Sequence, residues 1–142
     1  VPADAFQLPD GRITTGRASF LMSAAASGVI NAIKDLAGIS DHILLLPLAL
    51  LEPIMKMKHD ILHVRDSSLT LEDVLIALSL CEATNPTVSM AMEQLANLRG
   101  CEAHCSVMME PTDEAMLRRL GVNVTCDPVY AEKAIYQESP SA

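Results

Sequence analysis

Apolar and polar positions change period several times along the chain, and each change marks an element. Phe6 to Thr15 holds two short β-favouring runs around Pro9-Asp10-Gly11, a turn sequence that predicts a hairpin. Gly16 then breaks the strand. From about Ala18 to Ala37, Leu21, Ala25, Val29, Ile33 and Leu36 recur at helical spacing, and Gly38 supplies a stop. Ile43 to Leu46 is an unbroken apolar run, the pattern of a strand buried on both faces. Pro47 opens a helix to about His63, which Pro53 should kink or delay. Thr70-Leu71-Glu72-Asp73 caps a helix to about Ala83, with Val74, Leu75, Leu78 and Cys81 inward. Asn85 and Pro86 suit the cap and first turn of a helix to about Leu98, closed by Gly100.

Cys101 to Met108 reads as a strand, Thr112-Asp113-Glu114 caps a short helix through Leu120, and Val122 to Cys126 reads as another strand. Strand, helix and strand predict a parallel βαβ unit with a right-handed crossover. The expected fold class is α/β: a small mixed sheet with an N-terminal hairpin, a C-terminal parallel βαβ unit and about five packing helices. One domain spans residues 1–128, and residues 129–142 form a polar, loosely held tail. The sequence holds no internal repeat.

Composition narrows the partners. Half of the 142 residues are apolar but only 3% are aromatic, so the core is aliphatic with help from eight Met. A net charge of −8 opposes phosphate backbones, and the scarce aromatics remove stacking platforms. No nucleic-acid partner is expected. The most apolar run, Ile43 to Leu51, falls short of the ~20 residues that span a bilayer, so no membrane partner is expected either. Four cysteines, at 81, 101, 105 and 126, suit reduced thiols and a cytoplasmic location in a domain that can build its own core. The chain opens Val1-Pro2 without a signal peptide, as a chain with a trimmed terminus or a piece of a longer protein would.

Candidate chemistry is sparse. Cys101, His104 and Cys105 have the look of metal ligands, but on a strand His104 points away from the two cysteines, which lie ~13 Å apart. Buried thiols are the reading, with no metal. His59 and His63 share a helix face without an HExxH motif, which suits an exposed pair. Thr15, Gly16, Arg17 and Ser19 read as a strand end, a turn and a helix start. Free amides there, with the fixed charge of Arg17, would bind an anion. Asn85 and Thr87 offer a second such helix start. Plain capping is the bland alternative at both. No GxxxxGK motif makes either a Walker loop, and there is no GxSxG elbow. Ligands in open α/β sheets gather beyond strand carboxyl ends, here Met108 to Glu110 and Thr125 to Pro128.

The run Leu98-Arg99-Gly100-Cys101-Glu102-Ala103-His104-Cys105-Ser106 on to Met109, then Asp113-Glu114 and Leu120 through Pro128, resembles the end of the uncharacterised protein family 0371, domain of unknown function 1846. Leu8 through Gly16, Asp73 through Leu78 and Ala83 through Thr87 fit the same family in the same order. The resemblance implies a C-terminal domain of bacterial-type cytoplasmic proteins several times longer. Their larger N-terminal region carries a P-loop-like, glycine-rich segment. It therefore implies a nucleotide in that region and no cofactor in this domain. Some members are labelled ATP-dependent peptidases, but this chain holds no zincin motif. Many members read Thr-Gly-Lys-Thr-Ser where this chain has Thr15-Gly16-Arg17-Ala18-Ser19, and His-Ser-Ser where it has His104-Cys105-Ser106.

Two roles follow as expectations. The domain is an assembly or regulatory part, forming a homo-oligomer or packing on the N-terminal region through Met-rich apolar helices. Alternatively it completes an active site for an anionic small molecule, with His104 as acid/base, Ser106 beside it, and Arg17 and Asn85 lining the cleft.

Overall fold

The computed structural model describes residues 1–130; the remaining residues of the expected tail, 131–142, lie outside the described residues. β1 (Ala3–Gln7) and β2 (Ile13–Arg17) form the expected hairpin, each strand reaching two or three residues beyond its sequence bounds. Leu8 and Arg12 close the turn, and Gly11 takes a φ of 87°, which a side chain would strain. β3 (Glu102–Cys105) joins the other edge of β1, and β4 (Asn123–Cys126) joins β3. β1 is antiparallel to both its neighbours, and β3 and β4 are parallel. The sheet order is β2-β1-β3-β4. Fold class, hairpin and the parallel β3–β4 pair are those the sequence predicts, and the antiparallel β1–β3 pairing that joins them is added by the structure.

The first helix is a correction. α1 spans Ala24–Ala37, six residues later than the period-based start at Ala18. Hydroxyls compete for the backbone here. Ser19 Oγ accepts the Leu21 and Met22 amides, and Ser23 Oγ accepts the Ala26 amide at 3.3 Å and so caps the helix. Gly38 ends it in the left-handed region, donating to the Asp35 and Lys34 carbonyls.

Ile43 to Leu46 is also a correction, because it forms no strand. Leu45 and Leu46 are buried, but Leu44 is 74% exposed. The carbonyls of Asp41 and Ile43 accept the buried Lys34 ammonium, which takes the place of a strand neighbour. α2 (Leu48–Lys56) follows, running through Pro53 and widening into a π turn over Met57–Ile61. Lys58 is buried in that turn, and its Nζ donates to Asp73 Oδ2 at 2.7 Å and to the Ser68 carbonyl at 2.8 Å. This ion pair and Leu51 fasten the α2 arm to the core.

α3 (Leu71–Glu82) starts with the capping box expected at Thr70 and Asp73. α4 (Pro86–Glu93) is capped by Asn85 and continues as a 3₁₀ turn to Leu98. α5 (Pro111–Arg119) joins β3 to β4. Its start corrects the sequence reading: Pro111 opens it, and Asp113, expected to cap, is buried and accepts the Leu71 amide at 2.9 Å.

α1 and α5 lie on the sheet, and α3 and α4 pack on them. Phe6, Ala103 and Val124 face this layer and are buried with Val29, Ile33, Leu71, Leu78 and Leu117. The alternating residues Gln7, Glu102, His104, Asn123 and Thr125 are exposed. Period two thus divides the sheet into a covered face and a face that no element covers among the described residues.

Candidate functional site: the open sheet face

Strand register fixes which side chains share the open face. Thr15, Ala5, His104 and Thr125 form one row across the sheet. Arg17 pairs with Ala3, and Ser106 binds Ala3 on the other side. Ser106 donates its amide to the Ala3 carbonyl at 2.8 Å, and its Oγ accepts the Ala3 amide at 3.0 Å. Four of the residues singled out from sequence, Thr15, Arg17, His104 and Ser106, therefore come together. Ala3 and Ala5 floor a shallow trough between Arg17 and Ser106, whose strands are two spacings, or ~10 Å, apart.

His104 is held from both ends. Its Nδ1 lies 2.7 Å from Thr125 Oγ1, and its Nε2 lies 3.1 Å from Asp127 Oδ1. Asp127 accepts from Nε2–H, so a neutral ring accepts a hydrogen bond from the Thr125 hydroxyl at Nδ1. In a charged ring Nδ1–H donates instead, and the Thr125 hydroxyl turns toward the Ala103 carbonyl, 3.5 Å away. Thr125 is thus a rotor that accommodates either charge state. Thr125 and Asp127 fall in the strand end, Thr125 to Pro128, where the sequence places ligands, but the sequence reading gives neither a role. The signal was period two in β4, which puts both on the face of His104.

The other predicted residues do not join them. Gly16 lies within β2 on the covered face. Arg17 is on a strand, not at a helix start, which corrects the helix-terminus argument for Thr15, Gly16, Arg17 and Ser19. Ser19 lines a cavity of about 160 Å³ beyond the end of β3, together with Cys105, Asp66, Glu110 and Asp113. Its acidic wall disfavours an anion. Asn85 Oδ1 accepts the Thr87 and Val88 amides at 3.0 and 3.3 Å, so α4 caps its own start. His59 is bonded to Asp60, and His63 adopts a φ of 53° just past the π turn. The four cysteines are free, and burial pushes the Cys101 and Cys105 thiols up.

Sequence reading also missed Asp4. It sits on the covered face of β1 at 4% exposure, and neither carboxylate oxygen has a hydrogen-bond partner among the described residues. Burial pushes its pKa up to about 7; the Gly16 amide dipole opposes the rise and the charge of Asp113 adds to it. Asp4 lies two residues before Phe6 and four before Leu8, both buried, which is the period that could have found it.

No helix among the described residues is long and apolar enough to cross a membrane. The family model for the C-terminal part of domain of unknown function DUF1846 matches residues 1–136. A UPF0371 protein of Clostridium botulinum (strain Alaska E43 / Type E3) is 49% identical over 135 residues, covering 95% of this chain and 27% of the relative. A UPF0371 protein of Clostridioides difficile (strain 630) is 47% identical, and one of Clostridium tetani (strain Massachusetts / E88) is 44% identical, with the same coverage. The chain spans about a quarter of the length of these relatives. It belongs to the DUF1846 family of UPF0371 proteins, and corresponds to that family's C-terminal domain.

Proposed function

We propose that this domain is the C-terminal assembly part of a larger, cytoplasmic, nucleotide-using protein. One observation carries the reading. Ile76 and Leu80 of α3, exposed by 54 and 74%, stand across a groove from Leu50, Ile54 and Met57 of the α2 arm. Scattered exposed leucines are ordinary, but apolar side chains lining a groove on two adjacent helices are the mark of a contact surface. The partner is the N-terminal region of the same protein or a second copy within a homo-oligomer. Produced as two separate chains, the N-terminal region and this domain should co-elute in a one-to-one complex. Two independent monomeric peaks at micromolar concentration would remove the reading.

A second reading is favoured by the gathering of Thr15, Arg17, His104 and Ser106 on one open face. In it the N-terminal region covers the trough and completes a site for an anionic small molecule, a nucleotide among them. Arg17 supplies fixed charge on the edge strand, and His104 moves a proton while Thr125 turns. The expected result is a fall of about 10²–10⁴-fold in phosphate release from ATP by the full-length protein on His104→Ala, with the fold intact. Unchanged release, or none from the parent protein, counts against this reading.

A further inference from the structure

We infer that the groove between the α2 arm and α3 is the seat of one amphipathic helix from the region that precedes Val1 in the full-length protein. The inference rests on the assembly reading and gives it a place and a partner. Leu50, Ile54 and Met57 form one wall, and Ile76, Ala77 and Leu80 the other, around a cavity of about 380 Å³. Both walls are ridges at three- and four-residue spacing. Packed helices bury such ridges in the groove of a neighbour, and here the groove between them is open. A third helix with apolar residues at i, i+3 or i+4, and i+7 fills it.

The chemistry of the lining selects this occupant over a small polar ligand. Asp73 is the one charged residue of the wall among the described residues, and its Oδ2 is already bonded to Lys58 at 2.7 Å and to the Thr70 amide at 3.0 Å. The other lining side chains among the described residues, Leu50, Ile54, Met57, Ile76, Ala77 and Leu80, are apolar and give a small polar molecule nothing to bind. Met57 adapts to whatever packs on it, and it opens the π turn, a distortion that recurs at functional sites.

Two observations point to the preceding region as the source. The relatives are nearly four times as long as the stretch they share with this chain, and the matching family model is a C-terminal one. Most of the polypeptide therefore sits before Val1, at the high effective concentration of a tethered partner. The chain also enters beside the loop that follows the arm. Pro2 lines one cavity with Asp66 and Ser68, and the Ser68 carbonyl binds Lys58 of the π turn. A segment just upstream of Val1 starts beside the Asp66 and Ser68 loop, which Lys58 ties to the arm.

The test uses the full-length protein carrying Ile76→Cys. A maleimide is added, and labelling at residue 76 is followed by peptide mass mapping in buffer and in unfolding urea. The expected result is labelling at least tenfold slower in buffer, and recovery to the urea rate when Leu80→Asp is added without loss of helical signal. A buffer rate within twofold of the urea rate overturns the inference. Protection that appears only at concentrations where the protein dimerises also overturns it, because the occupant is then a second copy. If the separate chains co-elute but Ile76→Cys is unprotected, the groove is wrong and the assembly reading stands. If they elute as two independent monomers, the assembly reading itself is lost.

Discussion

Asp4→Asn should stabilise the domain at pH 8, by an amount on the order of 4 kcal/mol, and should flatten its pH dependence. The unfolded carboxyl titrates at 3.8, whereas in the fold burial carries it to about 7. Between those values the native state holds a proton that the unfolded chain has released. Stability therefore falls as pH rises through that window, at ~1.4 kcal/mol per unit, and levels off above it. The contribution is fully present below 3.8 and lost above about 7. An amide keeps the shape and removes the charge, so the variant escapes this loss. Asp73 acts with the opposite sign. Burial would raise its carboxyl, but the Lys58 hydrogen bond, the Thr70 backbone and the charge of Lys58 outweigh it and hold it below 3.8. Its contribution is present above the ordinary carboxylate pKa and is lost as pH falls. The parent should thus be most stable in mildly acidic buffer, and Asp4→Asn should move the optimum upward. Urea midpoints at pH 5 and pH 8 check this. A variant less stable than the parent at pH 8 would show that the ionised Asp4 has a partner in the fold.

An unpaired buried acid is a cost that a sequence retains for some reason other than stability. Its carboxylate lies against Gly28 of α1 and beside Gly16 of β2, on the covered side of the trough that holds Arg17 and Ser106. Replacing Asp4 therefore also separates stability from function in the full-length protein. A more stable but inactive variant would place Asp4 in the working machinery.

What the sequence made legible was local. The hairpin at Pro9-Asp10-Gly11, the capping box at Thr70, the Asn85 cap, the Gly38 stop and the strand–helix–strand order of the last third all rest on residues within a few positions of one another. The errors rest on distant partners. Ile43 to Leu46 has the composition of a buried strand, yet Lys34, on a helix, takes the carbonyls that a neighbouring strand would need. Asp113 looks like a cap, yet it serves the Leu71 amide some forty residues away. The start of α1 moved because Ser19 and Ser23 offered competing hydroxyls, and helical period alone does not weigh those. The site divides the same way. His104 was legible from its strand and its chemistry, but Asp127 became its partner only once parallel register was known. Arg17 reached the same face by a route the sequence reading did not foresee, as part of a strand and not of a helix start.

Gly16→Ala should be the most damaging small substitution in the chain, costing more than about 3 kcal/mol. Gly16 reads from sequence as a strand breaker, yet it is an ordinary residue of β2 with no left-handed φ. Its reason is tertiary. A methyl group there would fall on the backbone N and Cα of Gly28, so β2 and α1 touch backbone to backbone. Backbone in a packed helix cannot give way, and relieving the clash would lift α1 from the strands it covers. Gly28→Ala meets a softer obstacle, the Asp4 carboxylate and the edge of the Phe6 ring, and in a helix alanine also recovers ~1 kcal/mol of propensity. The two glycines should therefore behave differently toward a change at Asp4. Asp4→Ala should relieve Gly28→Ala in a double-mutant cycle and leave the Gly16→Ala loss largely in place. Urea midpoints of the single and double variants measure this. A Gly16→Ala protein within about 0.5 kcal/mol of the parent, the range of ordinary surface substitutions, would show that the helix and strand have room between them.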